Sequence, residues 1–180
     1  LTGLAVYLPL KAGLFNIGAE GQLVFGAIAG TWIGLNVSLP AIALVPLMLL
    51  AAAVAGGFLA AIPAWLRAKW DVNEIITSLL LSFVALQIQS YLIRGPMQGG
   101  VGNFPQSAQF SDAARIPEIF LGVHAGILVA VLMVVLTYLL MTKARLGFEI
   151  TFVGSNDEAA VQAGMSKYKV YLIVFILGGA

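Results

Sequence analysis

Residues Gly147 to Lys167 read GFEITFVGSNDEAAVQAGMSK, the one polar insertion in the apolar second half of the chain. Its centre carries the marks of a short helix. Ser155 stands three residues before Glu158 as a capping box, and Gly164 suits the left-handed residue after a last turn. Asp157 and Glu158 fall in the first turn, where exposed amides favour negative charge. Eight residues from Asn156 to Ala163 make about 12 Å of helix, a knob between apolar runs. So short a helix gains order by packing an apolar side, here Ala159, Ala160 and Ala163, on a partner.

On either side of the knob the chain is made of apolar runs. Of 180 residues, 61% are hydrophobic and only 9% charged, too little polar surface to coat a soluble globule. The expected fold is all-α, a polytopic transmembrane helical bundle forming one domain truncated at both ends. Spans are expected at 1–10 (partial), 23–39, 41–62, 75–93, 121–141 and 168–180 (partial). No signal-peptide pattern opens the chain. The net charge of +1 carries no nucleic-acid footprint, so the bilayer is the expected partner and nucleic acid is not. Without cysteine, disulfides, thiol catalysis and thiolate metal sites are excluded. One histidine, scattered carboxylates and no GxxxxGK[ST] run leave no catalytic residue, metal site or bound cofactor to assign.

Before the second expected span comes Lys11 to Gln22, KAGLFNIGAEGQ. Three glycines, Asn16 and Glu20 within it are incompatible with a lipid-facing helix interior. Such backbone is tolerated at membrane depth only where it is buried in protein or lines a water-filled cavity. The stretch is therefore either a discontinuous helix beside a polar path, with Asn16, Glu20 and Gln22 offering hydrogen bonds, or a cytoplasmic turn. Gly26, Gly30 and Gly34 then leave one helix ridge bare for close packing. Ala52, Gly56 and Ala60 repeat that small stripe, and Pro46 should bend its helix or mark the first turn. In the run 75–93, Ser78, Ser82, Ala85 and Gln89 share a sector of about 60° that faces either a pore or another helix. Gly178-Gly179 reads as a backbone break.

Loop charges set the orientation. Pro63 to Glu74 holds Arg67 and Lys69 between Trp65 and Trp70, an interfacial anchor, and 142–167 holds Lys143, Arg145 and Lys167. By the positive-inside rule both are cytoplasmic, and the Gly- and Pro-rich loop 94–120 is extracytoplasmic, with one helical turn expected at Ser111 to Arg115. His124, near the start of the next span, reads as a solvated residue.

Three stretches carry a resemblance. Gly154, Asn156, Ala159, Ala160, Ala163 and Gly164 resemble the cytoplasmic coupling loop of ABC-importer permeases of the branched-chain amino acid, simple sugar and nucleoside family. Thr151 and Phe152 depart from it, standing where the family has an Arg-Ala pair. NIGAEGQ, with Asn16, Gly18, Glu20, Gly21 and Gln22, is similar to the signature of the sugar and nucleoside branch, as is NEIIT at 73–77. The resemblance implies a permease subunit moving a nucleoside or simple sugar, nucleoside being the narrower expectation, across the cytoplasmic (inner) membrane. ATP would be used by a separate cytoplasmic ATPase subunit, met through Gly154, Asn156, Glu158, Ala159, Ala160, Ala163 and Gly164. Asn16, Glu20, Gln22, Ser78, Ser82 and Gln89 form the expected translocation path. A second permease subunit, identical or related, and an extracytoplasmic substrate-binding protein are the further implied partners. The alternatives are a self-sufficient secondary transporter or channel, a structural scaffold and, within the family, a branched-chain amino acid permease.

Overall fold

Apolar runs punctuated by Gly, Pro and Asn become helices in the computed structural model, which describes residues 1–99, 106–111, 114–115, 118–120 and 123–180. In chain order these are α1 (Thr2–Lys11), α2 (Ala19–Asn36), α3 (Ala41–Trp70), α4 (Glu74–Arg94), α5 (Gly126–Lys143), α6 (Arg145–Ser155), α7 (Asp157–Gln162) and α8 (Lys167–Gly179). A hairpin of β1 (Glu118–Phe120) and β2 (Val123–His124) precedes α5. The architecture is all-α. Among the described residues, α3, α4 and α5 are long and apolar enough to cross a membrane.

Bare glycine ridges bring the helices together. A Cβ at Gly26 would lie 2.8 Å from the Ala52 carbonyl oxygen, and one at Gly30 3.2 Å from that of Met48, so α2 packs antiparallel on α3. Gly21 touches Ser82 of α4, while Gly178 and Gly179 press α8 onto Ala5 of α1 and Gly56 of α3. Those glycines serve close approach, and α8 ends at Gly179, where a break was expected. The core unites Leu8, Leu14, Ala64, Ile150, Val174 and Phe175, which come from α1, the segment after it, α3, α6 and α8.

Several expected boundaries move. α3 does not stop at Ile62: it passes through Pro63, which is fully buried beside Ala60 and Ala64, so tertiary packing offsets the lost backbone bond. It ends at Asp71 in the left-handed region (φ 55), whose N–H donates to the Arg67 oxygen at 3.0 Å. Lys69 lies 5.4 Å from the ring centre of Trp65 and 5.0 Å from that of Trp70. His124 belongs to β2, because α5 begins only at Gly126. In the 94–120 loop, Gly99 donates to the Gln106 oxygen and Ala108 to that of Met97, folding the loop on itself. Of the turn expected at Ser111 to Arg115, the described part is the bond from Ala114 N to Ser111 O at 2.9 Å; residues 112–113 lie outside the described residues.

Candidate functional site

The helical backbone is interrupted between the end of α1 at Lys11 and the start of α2 at Ala19, as both a discontinuous helix and a turn between spans require. Gly13 (φ 75) turns the chain back toward the bundle. Asn16 and Gln22, 2% and 3% exposed, close a ring of amide bonds. Asn16 Nδ2 donates to Gln22 Oε1 (2.9 Å), and Gln22 Nε2 returns a bond to Asn16 Oδ1 (3.0 Å). Asn16 Nδ2 also donates to the Ala5 oxygen (3.2 Å), and Gly18 N donates to Asn16 Oδ1 (3.0 Å). The asparagine thus uses both donors and its oxygen accepts twice, which suits an otherwise costly buried amide. The Gln22 backbone oxygen lies against Gly56, about 21 Å along α3 from its Trp70 end at 1.5 Å per residue.

The expected path residues are thus not all placed alike. Asn16 and Gln22 spend their bonds on each other, and Glu20, in the first turn of α2, is exposed. Ser78 and Ser82 are buried against Gly18, just before α2, and Gly21 of α2, and their hydroxyls donate to Ile75 O and Ser78 O. Gln89 is half-buried on α4. The uncovered side of α4 instead carries Gln87, one turn from Phe83 and from Tyr91, along a shallow groove of about 430 Å³ shared with Val84 and Ile88. A count of polar stripes by periodicity passes over Gln87 because its helical neighbours are aromatic.

Glu74, 7% exposed, is the other residue that sequence reasoning missed. Its Oε1 accepts the Phe15 N–H at 3.3 Å and its Oε2 lies 3.4 Å from Arg67 Nε, so the end of α3 and the start of α4 grip the break from outside. Arg67 also meets Asp71 at 2.9 Å. The signal was an acid just after the N-cap Asn73, whose Oδ1 accepts from Ile75 N and Ile76 N.

The second candidate region is the insertion at 142–167. Its cap is not Ser155, because α6 occupies Arg145–Ser155 and the Ser155 hydroxyl donates back to the Thr151 oxygen. Asn156 caps α7 instead, its Oδ1 accepting from Ala159 N at 2.9 Å. At the other end Gly164 (φ 81) donates to Val161 O and Met165 donates to Ala160 O, the paired bonds of a Schellman close. α6 was not expected in this loop; it forms because Leu146, Ile150 and Val153 put one apolar face on the core.

The alanines also differ from one another. Ala160 is fully buried within this chain, seating α7 on the core, whereas Ala159 is half-buried and Ala163 exposed. The outward residues are Asn156, Glu158, Val161 and Gln162. Gly154, the penultimate residue of α6, presses its backbone on Lys11 and Ala12. Lys167 and Asp157, 3.4 Å apart, draw the start of α8 to that of α7. Among the described residues no three His, Cys, Asp or Glu side chains gather as for a metal ion.

The branched-chain amino acid transport system / permease component family matches the chain over residues 1–180. The chain belongs to this family. Over its whole length it is 72% identical to a glucose ABC transporter permease protein of Haloferax volcanii, covering 50% of that protein. It is 36% identical to a guanosine ABC transporter permease protein of Bacillus subtilis and 29% identical to a nucleoside ABC transporter permease protein of Lactococcus lactis, in each case over its whole length, covering 53% and 52% of those proteins. The chain thus spans about half the length of these permease relatives. No solved structure matches it significantly. Family membership and the three apolar helices make it a membrane protein.

Proposed function

We propose that this chain is part of the membrane-spanning permease subunit of an ATP-binding-cassette importer, which carries a small neutral solute into the cell while a separate cytoplasmic subunit hydrolyses ATP. The observation that carries the reading is α7: capped at both ends, anchored through Ala160, and turned outward along Asn156, Glu158, Val161 and Gln162. A six-residue helix so firmly closed offers a foreign subunit a rigid handle. Movement of that handle tilts the bundle as rigid bodies and switches access between the two sides. The cationic loops support a cytoplasmic side for α7, and we read the membrane as the inner one. A second permease subunit, identical or related, completes the path, and the 94–120 loop faces an extracytoplasmic substrate-binding protein.

The solute class we favour is a simple sugar. The relative at 72% identity is named for glucose, and those at 36% and 29% for guanosine and nucleosides. Phe83 and Tyr91 on the same groove offer flat rings for a sugar face, and exposed Gln87 stands between them on α4. This open side of α4, with exposed Glu20, is a better candidate path than the buried Ser78 and Ser82. An amide at this depth is costly against lipid and at ease against water or solute.

The test is the double substitution Glu158→Ala with Ala159→Arg in the full-length permease co-expressed with its ATPase. Uptake is expected to fall about tenfold or more while membrane insertion stays normal. Normal uptake at normal expression would defeat the coupling role, and uptake that persists without any ATPase and follows an ion gradient would favour a secondary transporter.

A further inference from the structure

Two glycines far apart in sequence meet backbone to backbone. A Cβ on Gly154 would overlap the Lys11 carbonyl oxygen and lie 2.9 Å from the Ala12 carbonyl carbon. From the other side, a Cβ on Gly13 would stand 3.3 Å from the Gly154 oxygen, and Gly13 already sits at φ 75. No side chain separates the two segments at this point, so the contact has no soft layer to absorb a displacement. Ala12, Leu14, Val153 and Ala160 flank it on the inner side in one buried cluster, while Lys11 and Gly13 stay exposed.

The position of this contact sets it apart from the other glycine contacts. Gly26 and Gly30 join two long helices along their lengths, where many neighbours share any load. Gly154 lies two residues before the N-cap of α7, and Gly13 three residues before Asn16. Between Gly13 and Asn16 the backbone is held at Phe15 N by Glu74, itself paired with Arg67. A push delivered at 11–13 therefore works against a fixed point at Phe15 and turns Asn16, whose amide ring ties α1 to α2 through Ala5 and Gln22.

We propose that the Gly154 contact with the Lys11–Gly13 turn is the joint through which displacement of α7 reaches the Asn16–Gln22 pair. It rests on the ATP-driven reading above, and it makes Gly154 a positioning residue inside this chain where the resemblance implied an ATPase contact.

This chain has no cysteine, so Ile17→Cys, half-exposed beside Asn16, gives it a single thiol, and any cysteine elsewhere in the full-length permease is replaced by Ser. In the full-length permease with its ATPase in membranes, labelling of this thiol is measured with and without nucleotide trapped on the ATPase. With Gly154 intact, trapping is expected to change the labelling rate about fivefold or more. In Gly154→Val the ATPase still co-purifies and hydrolyses ATP within about twofold, the labelling change disappears, and uptake falls about tenfold. Gly154→Ala and Gly13→Ala are milder variants that read the same joint if the valine protein fails to accumulate. Gly3→Ala, with no atom within 4 Å of its new Cβ, is the control and should behave as the parent. An unchanged labelling response in the Gly154 and Gly13 variants overturns the joint while leaving the ATP-driven reading intact. If no ATPase co-purifies even with Gly154 intact, that reading fails and the joint with it.

Discussion

Two polar interruptions of an apolar chain, the segment from Ala12 to Gly18 and the helix α7, meet opposite fates. The first turns its amides inward: Asn16 and Gln22 are buried and satisfy each other, and Glu74 reaches in from α4 to hold Phe15 N. The second turns its polar residues outward and buries only Ala160. Polarity alone does not distinguish a strut inside a bundle from a handle on its surface; what does is whether a neighbour supplies bonding partners before water does. In the break the partners are the chain's own carbonyls and amides. In α7 they are the two caps and the Asp157–Lys167 pair, and Glu158, Val161 and Gln162 are left for another molecule.

The contrast can be broken most directly at Asn16. Asn16→Leu removes both bonds of the amide ring at once and strands Gly18 N–H and the Gln22 amide in a dry site. Unfolding in detergent is expected to cost roughly 3 kcal/mol, with uptake lost as well. A thermal midpoint unchanged from the parent would mean that the ring is not holding the break. Gly164→Ala comes next: nothing crowds the new Cβ, so only the left-handed φ of 81 resists, about 1–2 kcal/mol by the same unfolding measurement. Asn156→Ala removes the α7 cap and is expected to cost about 1 kcal/mol, most visibly as faster amide exchange confined to 157–162. Were α7 as embedded as the break, Asn156→Ala would match Asn16→Leu. Smallest is Arg145→Ala, which deletes an exposed pair with Glu149 at 2.8 Å; a loss of about 0.3–0.5 kcal/mol, shrinking in high salt, is expected.

Much of this contrast was legible before any coordinates. The helix break at Asn16, the left-handed close at Gly164, and the bare ridges at Gly26, Gly30 and Gly56 all follow from what a backbone tolerates without side chains. Local rules failed where a distant partner changed the balance. Pro63 ends a helix by local rules, but burial among Ala60 and Ala64 carries α3 on to Trp70. Ser155 is a good cap in isolation, yet the apolar face of Leu146, Ile150 and Val153 draws it into α6 and passes the cap to Asn156. The Ser78 and Ser82 stripe faced either helix or pore by periodicity, and Gly18 and Gly21 occupy it.

By itself the sequence determined that the chain is a helical membrane protein, where its backbone is interrupted, and that the short helix closes at Gly164, because hydropathy and glycine act over a few residues. Only the tertiary structure decided that Asn16 pairs with Gln22, that Glu74 grips Phe15, and that Gly154 rests on the Lys11 turn. Those contacts join residues up to about 140 positions apart, and their energy exists only once the helices have brought donors, acceptors and bare backbone within reach of one another.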